Sequence, residues 1–220
     1  MALLPFKHPF TGICSGPTGC GKSQLVKRII LNITKMMRPL PQRIVWYYAE
    51  YQADLEAALK HLVEFREGCP EMDEYNHNTV PTLIIIDDLM EDCGSELTKL
   101  FIRGSHHRNL SVWFLMQNFF HQTKGLRTTT LNTQYVIFFK NPRDKQQIKT
   151  LARQMYDKDY LTMVSAFAQA TAEPHGYLLV DMRQETPDHL RLRTKIIPGE
   201  NFELYTSKTY KADTIEITAE

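Results

Sequence analysis

Eight consecutive residues, Gly16-Pro17-Thr18-Gly19-Cys20-Gly21-Lys22-Ser23, carry the spacing G-x-x-x-x-G-K-S. Glycines at these positions let the backbone curl until successive N–H groups point inward at phosphate oxygens. A helix that begins where the loop ends adds its positive N-terminal end. Lys22 supplies a mobile charge for the β- and γ-phosphates, and the Ser23 hydroxyl is a hard oxygen ligand suited to Mg2+. A glycine-rich turn matching by chance would lack the flanking elements. Here Phe10–Ser15 reads as a short strand feeding the loop, and Gln24–Leu31 continues as a helix with a repeating apolar face. The stretch predicts binding of ATP or a similar nucleoside triphosphate, with Mg2+.

Two other apolar runs end in groups that could act on that nucleotide. Thr82-Leu83-Ile84-Ile85-Ile86 leads into Asp87 and Asp88. Asp87 is in the place of a Walker B residue holding magnesium. Asp88 adds a second carboxylate that can orient and deprotonate an attacking water. Glu91, one helical turn further, is the fallback base. Ser111–Met116 ends in Gln117 and Asn118, neutral amides that can touch the γ-phosphate or the water; Gln117 is the favoured sensor. Apart from Lys22 the loop has no cation to neutralise a transition state, so fast hydrolysis would call for an arginine finger. Arg108, just before the sensor strand and acting from a neighbouring subunit, is the first candidate, followed by Arg103 and Arg127.

These groups need a scaffold that brings strand ends together. After the loop helix the sequence gives a loop to Pro41, a strand at Gln42–Tyr48 and an amphipathic helix at Tyr51–Phe65. A polar loop covers Gly68–Thr79, and helices are expected at Ser95–His107, capped by Ser95, and at Lys124–Asn132. A strand at Tyr135–Phe139, helices at Asp144–Met155 and Tyr160–Ala172, and strands at Gly176–Met182 and Leu190–Ile197 complete the series. Alternation of this kind predicts an α/β domain whose largely parallel central sheet is flanked by helices. Ligands then lie at the carboxyl ends of the strands, where the loop, Asp87-Asp88 and Gln117 would all converge. Residues 1–200 read as one P-loop ATPase domain and 201–220 as a loosely held C-terminal tail.

At 220 residues, with 43% apolar and 23% charged residues, the composition is that of an ordinary globular chain. No apolar run approaches a membrane span, and Met1–Pro5 is too short for a signal-peptide core. Cys14, Cys20, Cys69 and Cys93 lack CxxC spacing and fit a reducing intracellular compartment. Zinc ligation by Cys69, Cys93, His106 and His107 would follow no known spacing. The net charge of +1 hides a division: Glu50–Lys99 has 13 acidic and 3 basic residues, whereas Phe101–Arg153 has nine Lys/Arg and one acid, Asp144. One basic face could therefore meet a polyanion, unless neighbours neutralise it in the fold.

SGPTGCGKS, the IIIDD strand end, and above all SHHRNLSVWFLMQNFF followed by YVIFFKNPRD resemble the DNA-packaging ATPases of the FtsK/HerA superfamily. The nearest group is that of poxviruses, other large eukaryotic DNA viruses, virophages and Polinton/Maverick or adintovirus elements. The resemblance runs from about His8 to Ile197. It implies a RecA-like P-loop NTPase fold of the ASCE type and a homo-oligomeric ring, a pentamer or hexamer. It also implies ATP-driven translocation of double-stranded DNA into a preformed capsid, with capsid vertex or portal proteins as partners. The setting would be the cytoplasm or nucleus of an infected cell, alongside assembling virions. By position, Lys22 and Ser23 are the loop pair, Asp87 the magnesium residue, Gln117 the sensor and Arg108 the trans finger. Many relatives have Glu after the Walker B Asp; Asp88 is one methylene shorter.

The DNA grip would come from the basic span Phe101–Arg153 or from Arg191, Arg193 and Lys195, through phosphate contacts that read no sequence. A small-molecule kinase acting on nucleosides or nucleotides is the alternative, since such enzymes share this length and an N-terminal loop. Against it, a strand intervenes before the Walker B strand, and no arginine-rich lid is evident. A nucleotide-gated assembly protein without hydrolysis is the third reading.

Overall fold

The structure is a computed structural model that describes residues 4–89, 93–101, 109–120 and 126–206. The apolar runs pair as parallel strands. β1 (Phe6–Lys7) and β3 (Met37–Arg38) form a small separate ladder. The main sheet has nine strands in the order β11-β10-β9-β8-β2-β7-β6-β4-β5. Its central members are β2 (Thr11–Ser15), β4 (Arg43–Tyr48), β6 (Thr82–Asp87), β7 (Leu110–Met116) and β8 (Tyr135–Phe139), all parallel. β5 (Glu64–Glu67) extends this ladder in parallel at one edge. β9 (Tyr177–Asp181), β10 (Leu192–Thr194) and β11 (Glu203–Tyr205) continue it in antiparallel fashion at the other.

Side chains alternate between two faces, as a pleated strand requires. Cys14, Trp46, Ile85, Trp113 and Ile137 point to one core, which α1 (Lys22–Leu31) covers with Leu25, Val26, Ile29 and Ile30. α2 (Ile33–Met36) and α3 (Ala53–Leu59) complete that layer. Ile13, Val45, Ile84, Ile86, Phe114, Val136 and Phe138 point to the other core. α6 (Gln146–Tyr156) and α7 (Tyr160–Ala170) cover it with Ile148, Leu151, Met163 and Ala166. Between them in the chain lie α4 (Gly94–Lys99) and α5 (Leu126–Leu131). Burial on both faces explains why the central strands are continuous apolar runs. Among the described residues no helix is long and apolar enough to cross a membrane.

Several expectations shift. The helix foreseen over Tyr51–Phe65 stops at Leu59, and Phe65 lies in strand β5, its ring stacked 6.1 Å from that of Trp46. Edge pairing with β4 outweighs the helical spacing. The polar loop Gly68–Thr79 contains a short 3-10 turn that buries Tyr75, whose hydroxyl meets that of Tyr47 at 2.9 Å. Ser95 lies inside the first turn of α4 and so does not cap it. Strand β11 extends the sheet into the span expected as a tail. Cys69 and Cys93 are joined as a disulfide, with Cα atoms 5.6 Å apart. That pairing takes both sulfurs out of any zinc site and removes the support that cysteine spacing lent to a reducing compartment.

The basic strand is also corrected. Arg193 is buried and ion-paired with Asp181, Arg191 donates to the Asp181 and Arg183 carbonyls at 3.0 and 2.8 Å, and Lys195 meets Glu203 at 2.6 Å. Arg193 is too buried to reach a phosphate backbone, whereas Lys195 stays partly exposed in its pair with Glu203.

At the amino ends of the parallel strands, the His8 ring fastens the segment before β2 to β7. Its two nitrogens lie 2.5 Å from Ser111 Oγ and 2.8 Å from Asn109 Oδ1. Burial pulls the His8 imidazole below its usual pKa, against the smaller opposing effect of the Asn109 contacts. The folded chain thus keeps His8 neutral, while the unfolded chain takes up a proton below about pH 6.5. Stability from this residue is full above that pH and is lost as pH falls toward the depressed folded value. Urea unfolding at pH 8 and pH 5.5 should show a decline that shrinks in His8→Gln.

Candidate functional site

Register decides where the chemistry sits. Ser15 pairs with Met116 and with Phe138, and Asp87 pairs with Leu115 and with Tyr48. The carboxyl ends of β2, β6, β7 and β4 are therefore flush. The glycine loop leaves β2 there, bonded to the next strand by the Gly16 N–H and the Met116 carbonyl at 3.1 Å. α1 starts at Lys22 and takes its first backbone bond from the Leu25 N–H to the Gly21 carbonyl at 2.9 Å. The N–H groups of its first turn face the loop, as an anion site needs.

Gly16 is required by closeness: a Cβ there would meet Cys20 Sγ and Phe139 Cβ, each at 2.7 Å. Lys22 is buried, and its Nζ donates to the Gly16 and Pro17 carbonyls at 2.7 and 3.2 Å. Its charge lies inside the curl of the loop.

Ser23 Oγ donates to Asp87 Oδ2 at 2.9 Å, which places the two hard oxygens side by side. Burial pushes the Asp87 carboxyl up, opposed by the Ser23 hydrogen bond and the Lys22 charge, with Asp88 adding to the rise. A buried carboxylate with an adjacent hydroxyl suits a small divalent cation, whose charge would offset the desolvation. Gln52 Nε2 stands 3.5 Å from the same Asp87 oxygen.

Asp88 and Gln117 form a second pair, with Gln117 Nε2 donating to Asp88 Oδ2 at 2.9 Å. Asp88 adopts φ of 55°, and its N–H donates to the Leu115 carbonyl at 3.1 Å. A non-glycine residue in this left-handed conformation is strained, and here the strain holds a carboxylate at the strand end. Asn118, the other amide, has its Oδ1 occupied by the Phe120 N–H at 3.0 Å and serves the turn. Asn141 and Asp144, from the FKNPRD segment, line a small hollow with Gly16 and Gln117. Asp144, just before α6, accepts the Gln146 N–H on its Oδ1 at 2.9 Å.

Thr18, Gly19, Gly21, Lys22, Ser23, Asp87 and Asp88 share one open cleft of about 730 Å³. Sequence reasoning did not find the other walls. Glu50 and Gln52 follow β4, and Arg28, Phe139, His175 and Tyr177 stand on the far side of α1 and β8. Glu50 is a third carboxylate lining the same cleft, beside Asp87 and Asp88. Glu91, Arg103 and Arg108 lie outside the described residues. Arg127 is in α5, with its side chain likewise outside them.

No family model and no curated protein matches the sequence. Solved structures do resemble it. The genome packaging NTPase B204 of Sulfolobus turreted icosahedral virus 2, in complex with ATP-gammaS, aligns at a TM-score of 0.50 and 11% identity. That alignment covers 90% of this chain and 97% of B204. The cytoplasmic domain of the Type VII secretion ATPase EccC from Thermomonospora curvata aligns at 0.51 and 13% identity, over 90% of this chain and 25% of that one. At such identities the likeness shows the fold, that of RecA-like P-loop ATPases.

The loop's tight packing is testable. Gly16→Ala should lower stability by about 1–3 kcal/mol, as overpacking does, and lower the thermal midpoint. Gly19→Ala, where nothing lies within 4 Å of an added Cβ, should lose only the cost of a left-handed alanine, about 1–2 kcal/mol.

Proposed function

We propose that this chain is an ATP-hydrolysing motor that moves double-stranded DNA, working as a homo-oligomeric ring that packages a viral genome into a preformed capsid. The observation that carries the enzymatic part is the flush strand edge, where Ser23–Asp87 and Asp88–Gln117 form two hydrogen-bonded pairs beside the buried Lys22. The fold shared with B204, a genome packaging NTPase solved with ATP-gammaS, supports it. Because a secretion ATPase shares that fold as well, the choice of cargo rests on the SHHRN and FKNPRD segments and on the basic span.

Each residue has a physical task. Loop N–H groups and Lys22 neutralise the β- and γ-phosphates. Ser23 and Asp87 would hold Mg2+, which would supply positive charge to offset that of the phosphates. Asp88 accepts the proton of the attacking water as its oxygen bonds to the γ-phosphorus and the bond to the β-γ bridging oxygen breaks. Gln117 is bonded to Asp88, so it would orient that carboxylate and through it register loss of the γ-phosphate. Arg108 of an adjacent subunit would complete charge neutralisation at the transition state. Lys140, Arg143 and Lys145 are exposed on the FKNPRD segment and the approach to α6, and they offer DNA-backbone contacts. Capsid vertex or portal proteins are the docking partners on this reading.

Two measurements test it. Asp88→Asn should bind ATP within about threefold of the parent and hydrolyse it at least about a hundredfold more slowly. Displacement of a third strand from long linear duplex DNA should depend on ATP, and paired Arg143→Gln and Lys145→Gln should weaken DNA binding and flatten its salt dependence. Phosphate transfer from ATP to a nucleoside, with no response to DNA, would replace the motor with a kinase.

A further inference from the structure

The cleft has two chemically different ends. One is formed by Glu50, Gln52, Asp87 and Asp88, at the ends of β4 and β6. The other is formed by Leu25, Arg28, Phe139, His175 and Tyr177, beside β8 and β9. In the sheet order these lie on opposite sides of β2. From β6 to β8 is three strand spacings, about 14 Å at the usual separation. A triphosphate with its terminal phosphate at Asp87 and Asp88 must therefore direct the rest of the molecule toward β8 and β9.

That second end is built like a pocket for a flat, mostly apolar group with polar edges. Phe139 and Tyr177 are buried, with ring centroids 5.8 Å apart, and form an aromatic floor. The Tyr177 hydroxyl is held by the Ile196 N–H at 2.9 Å, so the ring is fixed. Arg28 lines the cleft as a polar rim and is held by Glu200 at 2.6 Å.

His175 stands at this end, against the glycine loop. Its Nδ1–H donates to the Cys20 carbonyl at 3.1 Å, and a Cβ added at Gly21 would meet its ring at 3.5 Å. It is exposed, and lines both this cleft and a smaller one behind Pro17–Cys20. Its backbone is left-handed at φ of 60°. The next residue, Gly176, has no room for a Cβ, which would lie 2.4 Å from the Ala170 carbonyl oxygen. A strained, tightly constrained turn thus presents an imidazole to the cleft.

We propose that this end is a purine-nucleoside subsite, with His175 packing against the base, Phe139 and Tyr177 as its floor, and Arg28 with Glu200 at its edge. The proposal rests on the nucleotide-binding reading above. It gives His175 a contact with the base, separate from the phosphate contacts of the loop.

The test compares ATP with inorganic tripolyphosphate, measured by competition and calorimetry on the full chain. His175→Ala should bind ATP about tenfold more weakly, the order of one lost ring contact, while its tripolyphosphate affinity stays within twofold. His175→Phe, which keeps a ring and loses the Cys20 hydrogen bond, should recover ATP affinity to within about threefold. Equal losses for both ligands would overturn the proposal and make His175 a support for the loop. Unchanged ATP affinity in a folded His175→Ala chain would also overturn it. A parent chain that binds tripolyphosphate and not ATP would sink the base subsite alone, and one that binds neither would sink the nucleotide reading itself.

Discussion

The structure depends on parallel register. Because β2, β7, β6 and β4 pair so that Ser15, Met116, Asp87 and Tyr48 end together, four chain segments distant in sequence reach one edge. A one-residue slip of β6 would turn Asp87 to the opposite face and break its 2.9 Å bond with Ser23. The buried faces hold that register: Ile84 and Ile86 belong to one core and Leu83 and Ile85 to the other, so a slip would exchange the two sets. The His8 contacts fasten the amino ends of the same strands. Packing energy far from the cleft thus sets the geometry within it.

Electrostatics at the edge follow from that packing. Lys22 and Asp87 are both buried, and Asp88 stands beside them with its carboxylate bonded to Gln117. Isolated charges in such a place are costly; here Lys22 is held by the Gly16 and Pro17 carbonyls and Asp87 by the Ser23 hydroxyl. The glycine loop is closely packed at Gly16 and left-handed at Gly19 and Gly21. Its form is set before any ligand arrives, so binding would cost little reordering.

Much of this was legible in the chain. The loop spacing announces its own backbone chemistry, and runs such as Leu83–Ile86 can only be buried strands, so the α/β sheet and the convergence of Asp87, Asp88 and Gln117 followed. What escaped was long-range. Glu64–Glu67 looks like the end of a helix until β4 offers it an edge. Cys69 and Cys93 show no motif, since only the fold brings them together. Arg193 sits in an alternating basic strand, and nothing local reveals that Asp181 buries it. His175, Phe139 and Tyr177 have no common spacing with the loop, so the second end of the cleft required the sheet order. The DNA cargo, the ring and the capsid belong to the proposed function and come from resemblance, not from any local feature of the chain.

On the proposed function, this strand edge turns over ATP with help from a neighbouring copy. The most direct measurement is phosphate release per chain across a range of protein concentrations, with and without long duplex DNA, beside mass by light scattering. Turnover per chain should rise as the ring assembles and rise again with DNA. Turnover that is constant per chain from the monomer upward and indifferent to DNA would contradict it.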